Sequence, residues 1–226
     1  MKLYIFLVLI FSLEHGKAQV FSFLSQENEK TINHRILIDD QYLIETQFSV
    51  NPSEFILTRG GFYSQTGTSY EVVLEFNSNH KEDSLTQFKI NSSPLSLEAW
   101  KIISKEPLDL NGKWLMAGRV RDNKEQRRDT TRSRKTMKFL KDGFFQWIAF
   151  NTETFQFFGS GGGYYTTVQG KYFEHIEYFS RNNKSVGRIL SFSYSISGDD
   201  WHHEGFSSKG APIHEIWSFR KQKKNE

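Results

Sequence analysis

The feature that most constrains this chain is that it repeats itself. DDQYLIETQFSVNPSEFILTRGGFYSQTGTSYEVVLEFNS, from Asp39, lies over KDGFFQWIAFNTETFQFFGSGGGYYTTVQGKYFEHIEYFS, from Lys141, with no gap, at an offset of 102. From Asp40 to Ser78, 9 of 39 positions are identical, among them Gly60-Gly61 over Gly162-Gly163, Tyr70 over Tyr172 and Glu75 over Glu177. Any fold has to accommodate two versions of one pattern. The ends echo as well: LEAW at 97–100 resembles HEIW at 214–217, but at an offset of 117, so the later copy carries an additional DDWHHEGFSSKGAPI. The junction falls near KEPLDLN. This divides the chain into a first copy over 19–105, a second over 106–222 and a polar tail over 223–226.

The pattern within each copy is that of strands. Aromatic residues make up 15% of the chain, with 21 Phe and only 4 Pro, a composition that favours sheet. The second copy reads as GKWLMAGRVR, KTMKFL, FFQWIAF, TFQFFGS, GYYTTVQ, KYFEHIEYFS, GRILSFSYSIS, DWHHEGF and HEIWSFR, separated by turn residues; the first opens with VFSFL at 20–24. Leu190, Phe192, Tyr194 and Ile196 alternate with serines, the period of a half-buried strand. Short antiparallel strands need closure to hide their edges. The expected fold is therefore all-β: two tandem antiparallel up-and-down β-barrels, the first shorter and degenerate.

The glycine runs do not read as phosphate loops. A phosphate-binding glycine loop leads into a helix, whose N-terminus supplies the positive field. Gly163 is followed instead by YYTTVQGKYFEHIEYF, which is aromatic and β-branched. Glycine within a strand marks a bulge or a sharp bend, and its recurrence at Gly60-Gly61 assigns both copies the same bend.

Residues 1–18 carry Lys2, an apolar run from Leu3 to Leu13 and Gly16-Lys17-Ala18, the make-up of a secretory signal cut after Ala18. That run is short of the roughly twenty residues a membrane helix needs, so no stable membrane insertion is expected. The protein is expected to be secreted or periplasmic, and with 0 Cys it holds together by packing alone. A net charge of +3 gives no argument for nucleic acid.

Gly112-Lys113-Trp114 on a first strand, a meander of barrel length and a closing strand with Trp217 and Arg220 resemble lipocalin-like domains. The stretches RKTMKFL, FQWIAFNTET, GGGYYT, IEYFSR and EIWS are similar to small lipocalin-like (calycin-type) β-barrel proteins secreted by Bacteroidota, a family of unknown function that also occurs as tandem copies. The resemblance covers 110–220 well and 36–101 poorly, and the first copy has no Gly-x-Trp. It implies a ligand-holding barrel in which Trp114 packs across the closed end with Arg220.

Matching the copies assigns faces. Tyr172, Glu174, Ile176 and Tyr178 correspond to Tyr70, Val72, Leu74 and Phe76; Phe144, Gln146, Ile148 and Phe150 correspond to Tyr42, Ile44, Thr46 and Phe48. Both sets are expected to point into their barrels. Glu174 and Gln146 then place polar groups where the first copy has Val72 and Ile44, and a few polar groups on an apolar wall mark a ligand cavity. Gln146, Glu174, Tyr194, Tyr172 and Trp114 are the expected ligand-binding residues; a satisfied internal hydrogen-bond cluster is the structural alternative for the same groups. Phe145, Trp147 and Phe179 would then be exposed, available to an envelope protein partner.

Trp201-His202-His203-Glu204 is the metal or haem candidate. Adjacent histidines on a strand face opposite ways and cannot share an ion, which leaves His203 with His175 or His214. No cofactor is assigned. The charged stretch RVRDNKEQRRDTTRSR, 119–134, reads either as a solvated loop or as a cover over the open end that gathers an anionic ligand. No Gly-x-Ser-x-Gly, His-Glu-x-x-His or cysteine nucleophile is present, so the chain reads as non-catalytic. The expected function is binding of a small apolar or amphipathic molecule. An envelope interaction module and a haem- or metal-binding barrel stand as alternatives.

Overall fold

The computed structural model describes residues 19–91, 99–207 and 210–221; the expected leader, the polar tail at 223–226 and the first half of LEAW lie outside them. The first copy forms strands β1 (Gln19–Glu27), β2 (Lys30–Ile38), β3 (Tyr42–Ser49), β4 (Phe55–Thr66), β5 (Ser69–Asn77), β6 (Gln87–Ile90) and β7 (Lys101–Ile102). The second forms β8 (Gly112–Arg121), β9 (Lys124–Arg127), β10 (Arg134–Lys141), β11 (Phe144–Asn151), β12 (Phe157–Val168), β13 (Lys171–Phe179), β14 (Ile189–Ser197), β15 (Asp200–Phe206) and β16 (Pro212–Phe219). The all-β architecture expected from the strand pattern is present.

The two copies differ in closure. In the second, β10 to β16 follow in order, β16 pairs with β8, and β8 pairs back onto β10, which closes an eight-stranded antiparallel barrel; β9 is a hairpin extension of β8. The first is a seven-stranded sheet, β6-β5-β4-β3-β2-β1-β7, with no pairing between β6 and β7 among the described residues. The reason is in the additional DDWHHEGFSSKGAPI. It contains β15, the strand that bridges β14 to β16, and the first copy has no described counterpart.

Two sequence readings need correction. TFQFFGS and GYYTTVQ are not separate strands: both belong to the single 12-residue β12. The charged stretch is not a plain loop either, since Val120 pairs with Glu125 and Arg121 with Lys124 across the β8–β9 hairpin.

The glycine pairs create matching bulges. On β12 and β13, Gly162 pairs with Tyr178 and Gly163 with Ile176, so Glu177 is the extra residue. On β4 and β5, Gly60 pairs with Phe76 and Gly61 with Leu74, leaving Glu75. The strands come so close that a Cβ on Gly163 would lie 1.9 Å from the His175 carbonyl oxygen, and one on Gly61 would lie 1.9 Å from that of Val73. A bulge interrupts the period-two alternation. Consequently Tyr70, Val72 and Leu74 pack on the far side of the first sheet, whereas Phe76 joins the core between the two units. In the second unit Tyr172 belongs to the barrel interior, while Tyr178 stacks on Phe48 of the first sheet.

The inter-unit seam is built from equivalent positions of both copies. Tyr42, Ile44 and Phe76 share one buried cluster with Met137, Phe139, Phe144, Ile148 and Phe150. Phe48 stacks on Tyr178 at 4.7 Å, its counterpart Phe150 meets Phe76 at 5.0 Å, and Phe55 stacks on its own counterpart Phe157 at 5.9 Å. The two bulge carboxylates bridge in opposite directions: Arg35 donates to Glu177 at 2.6 Å, and Arg220 donates to Glu75 at 2.7 and 2.8 Å. Lys113 additionally pairs with Asp39 across the seam. Burial alone would lower the Arg220 pKa and raise that of Glu75, but their mutual hydrogen bonds win and move both the other way.

Two outcomes follow from this construction. Gly163→Ala forces the strands apart at the bulge and is expected to destabilise the protein by about 1–3 kcal/mol, read as a lower urea midpoint. Arg220→Met strands the Glu75 carboxylate in the seam and is expected to cost about 3 kcal/mol, with Glu75→Gln in the same chain recovering part of the loss.

Candidate functional site

The barrel holds a cavity of about 450 Å³ that is open to solvent. Its apolar wall is supplied by Phe145, Trp147, Ile176, Leu190, Phe192 and Trp217. The residues reaching it from β11 are thus the odd-numbered Phe145, Trp147 and Ala149, not the even-numbered set assigned from the matched copies. The even set faces the seam. Gln146 accepts from Thr46 at 2.8 Å and donates to Thr58 at 2.9 Å and Ser160 at 3.0 Å, so it is a satisfied cross-unit hydrogen-bond hub rather than a lumen residue. The expectation failed because β11 is buried on both faces. The more regular alternation, shared with Tyr42-Ile44-Thr46-Phe48, belongs to the seam.

Glu174 does line the lumen, and it is paired. Lys138 donates to its Oε1 at 2.6 Å and the Tyr172 hydroxyl donates to the same oxygen at 3.0 Å. The Lys138 ammonium lies 5.0–5.8 Å from the rings of Trp201, Trp217, Tyr172 and Phe192. A charge among ring faces and beside a carboxylate keeps both ions in the interior. Burial, reinforced by Glu174, pushes the Tyr172 hydroxyl far above its usual range, so it acts as a neutral donor.

One end of the barrel is plugged. Leu110 is fully buried, the Trp114 indole donates to its carbonyl at 2.9 Å, and Tyr165 donates to Asn111 at 2.7 Å. Trp114 packs edge-on against Trp201 and Phe219, as a residue sealing an end should. Arg220 does not join it; its guanidinium turns away to Glu75 and lies over Tyr42 and Phe62. Tyr194 donates to Asp109 at 2.9 Å, beside the plug and off the cavity wall. The rim of the cavity carries Arg119, Arg128, Arg134 and Arg181. Phe179 also sits on the cavity wall, and Phe145 is 2% exposed, so Phe145, Trp147 and Phe179 do not form an exterior aromatic patch.

The histidines do not gather. His202 meets His214 at 3.2 Å, His175 stacks on Tyr164, and His203 lies apart, buried at 2% exposure beside Phe192. No cluster of three metal-ligating side chains occurs among the described residues. Both nitrogens of His203 are buried without a hydrogen bond; the nearest carboxylate oxygen, on Glu215, is 3.5 Å away. His203 itself lies on the cavity wall, with both nitrogens unpaired. Sequence reasoning missed Lys138 and the inward aspect of Trp147. Lys138 sits one residue from each of two fully buried apolar neighbours, Met137 and Phe139, in a strand closed in on both sides.

A family model described as a domain of unknown function (DUF4488) matches residues 109–226. These residues include the whole closed barrel, its plug and its arginine rim. No curated protein matches the chain.

The enclosed imidazole makes stability depend on acid. Burial, aided by the Lys138 charge, lowers the His203 pKa from 6.5 to about 4, against opposing pulls from Glu215 and Glu174. Above pH 6.5 the ring is neutral in folded and unfolded chains and contributes nothing. Between 6.5 and about 4 only the unfolded chain takes the proton, and about 3 kcal/mol of stability is lost. Glu75 and Glu215, whose pKa values are lowered, stabilise above their ordinary 4.5 and lose that contribution below it, a separate window. Chemical denaturation of His203→Gln from pH 7 to 4.5 is expected to show a flatter acid limb than the parent, and an unchanged limb would mean that the ring is hydrated.

Proposed function

We propose, starting from a chain that belongs to the DUF4488 family, that this protein is a non-catalytic binder of a small apolar or amphipathic molecule held in the lumen of its second unit. The observation carrying this is the cavity of about 450 Å³ inside a closed barrel. It lies within the range of small-molecule sites, roughly 300–1,000 Å³, and combines an apolar wall with polar and charged groups. The plugged end and the rimmed end give it one entrance. The first unit serves as support, because it covers the outside of β10 and β11, which would otherwise expose Phe139, Phe144, Ile148 and Phe150.

The same reading keeps the leader at 1–18 as an export signal, with action in the periplasm or outside the cell of a Bacteroidota host, and the two units as diverged copies of one barrel. The buried Lys138–Glu174 pair of the lumen is spent on internal hydrogen bonds, which suits a binding role.

Two measurements test this reading. Native mass spectrometry of the purified exported protein is expected to show a retained molecule of small mass. Ala149→Trp fills the lumen and is expected to weaken uptake of an apolar fluorescent dye at least about tenfold, whereas Val73→Trp, on the exposed face of the first sheet, leaves it unchanged. Equal uptake by both variants would remove the lumen from the account.

A further inference from the structure

The rim of the lumen is unbalanced in charge. Arg119 has one carboxylate nearby, Glu215 at 3.7 Å. Arg128, Arg134 and Arg181 make no ion pair among the described residues; they are held by neutral groups. Arg128 donates from Nε to the Met116 carbonyl at 2.6 Å, Arg181 from Nε to the Phe158 carbonyl at 2.9 Å, and the Arg134 guanidinium lies 4.3 Å over the Phe158 ring. In each case the remaining N–H groups are left for another acceptor, since a guanidinium has five. The cluster is also self-repelling: burial and then the charges of Arg119 and Arg134 lower the Arg128 pKa, and only Glu215 opposes them. By contrast Arg127, on the adjoining strand β9, pairs with Glu125 and Asp200.

We infer that the arginine rim is a headgroup site for an oxyanion, phosphate or carboxylate, carried by an amphipathic ligand whose apolar part enters the lumen. This rests on the lumen being a binding cavity. The geometry assigns each end of the ligand. An apolar chain passes between Trp147, Phe192 and Trp217, where a charge would be desolvated, and the acid group stops at the rim, where planar guanidinium groups bond oxyanions in pairs. Lys138 does not compete for the acid, because Glu174 already holds its ammonium. The β8–β9 hairpin, which brings Arg119 and Arg128 to the entrance, is thus the part of the charged stretch that selects the headgroup.

Calorimetric titration of the full chain with decyl phosphate, decanoate, decanol and inorganic phosphate tests the assignment. The two acids are expected to bind at least about tenfold more tightly than decanol, and inorganic phosphate alone at least about a hundredfold more weakly than decyl phosphate. In Arg128→Gln/Arg134→Gln the advantage of the acids over decanol is expected to vanish while decanol binding holds. Arg132→Gln, on the same segment but 79% exposed and away from the cavity, is expected to retain it. Decanol binding as tightly as the acids would overturn the headgroup site and leave the lumen standing. Binding of neither acid nor alcohol would remove the lumen itself. Inorganic phosphate matching decyl phosphate would make the rim a free-phosphate site and overturn the amphipathic ligand.

Discussion

The close approach of backbone to backbone at Gly60-Gly61 and Gly162-Gly163 is the constraint on which this molecule depends. A side chain at Gly61 or Gly163 would overlap a carbonyl of the neighbouring strand, so only glycine lets those strands pair there. The bulge then breaks the alternation of β5 and β13, and one strand serves two cores. Its first part faces the interior of its own unit and its last residues face the other unit. The extra residue is a glutamate in both copies, and each is delivered to an arginine across the seam. One backbone irregularity therefore sets lumen, seam and cross-unit ion pairs together.

This arrangement explains the unequal copies. The first unit, lacking a described counterpart of β15, stays an open sheet and lays its seam face over the barrel. The second, with both faces of β10 and β11 covered, keeps a lumen in which a lysine, a glutamate and a tyrosine satisfy one another. Buried ions are costly unless fully bonded, and here the ring faces of Trp201 and Trp217 complete the shell. The Lys138–Glu174 pair is thus settled within the lumen while the rim arginines keep donors for another acceptor, a division that suits a ligand with one apolar and one charged end.

Much of this was legible from residues alone. The offset of 102 locates both units, the DDWHHEGFSSKGAPI segment marks where they differ, and the repeated glycine pair marks the bend. The inward position of Glu174 follows from its match to Val72, because β5 and β13 have one buried face ahead of the bulge. Gln146 was misread for the converse reason: FFQWIAF is apolar on both faces, and period alone does not say which face meets which core. Arg220 was assigned to the closed end by resemblance, but a carboxylate presented by the other unit holds it. The rim arginines were visible only as a charged stretch, since their convergence depends on the barrel closing beneath them.

Assignment of the two faces of β11 and β13 is the central claim, and the absence of cysteine in the chain makes it directly measurable. Single-cysteine variants at Gln146, Trp147, Tyr178 and Phe179 are treated with a small thiol reagent under native conditions. Trp147→Cys and Phe179→Cys, on the cavity wall, should react rapidly, while Gln146→Cys and Tyr178→Cys, in the seam, should be protected. Rapid modification at 146 and 178 with protection at 147 and 179 would contradict the account.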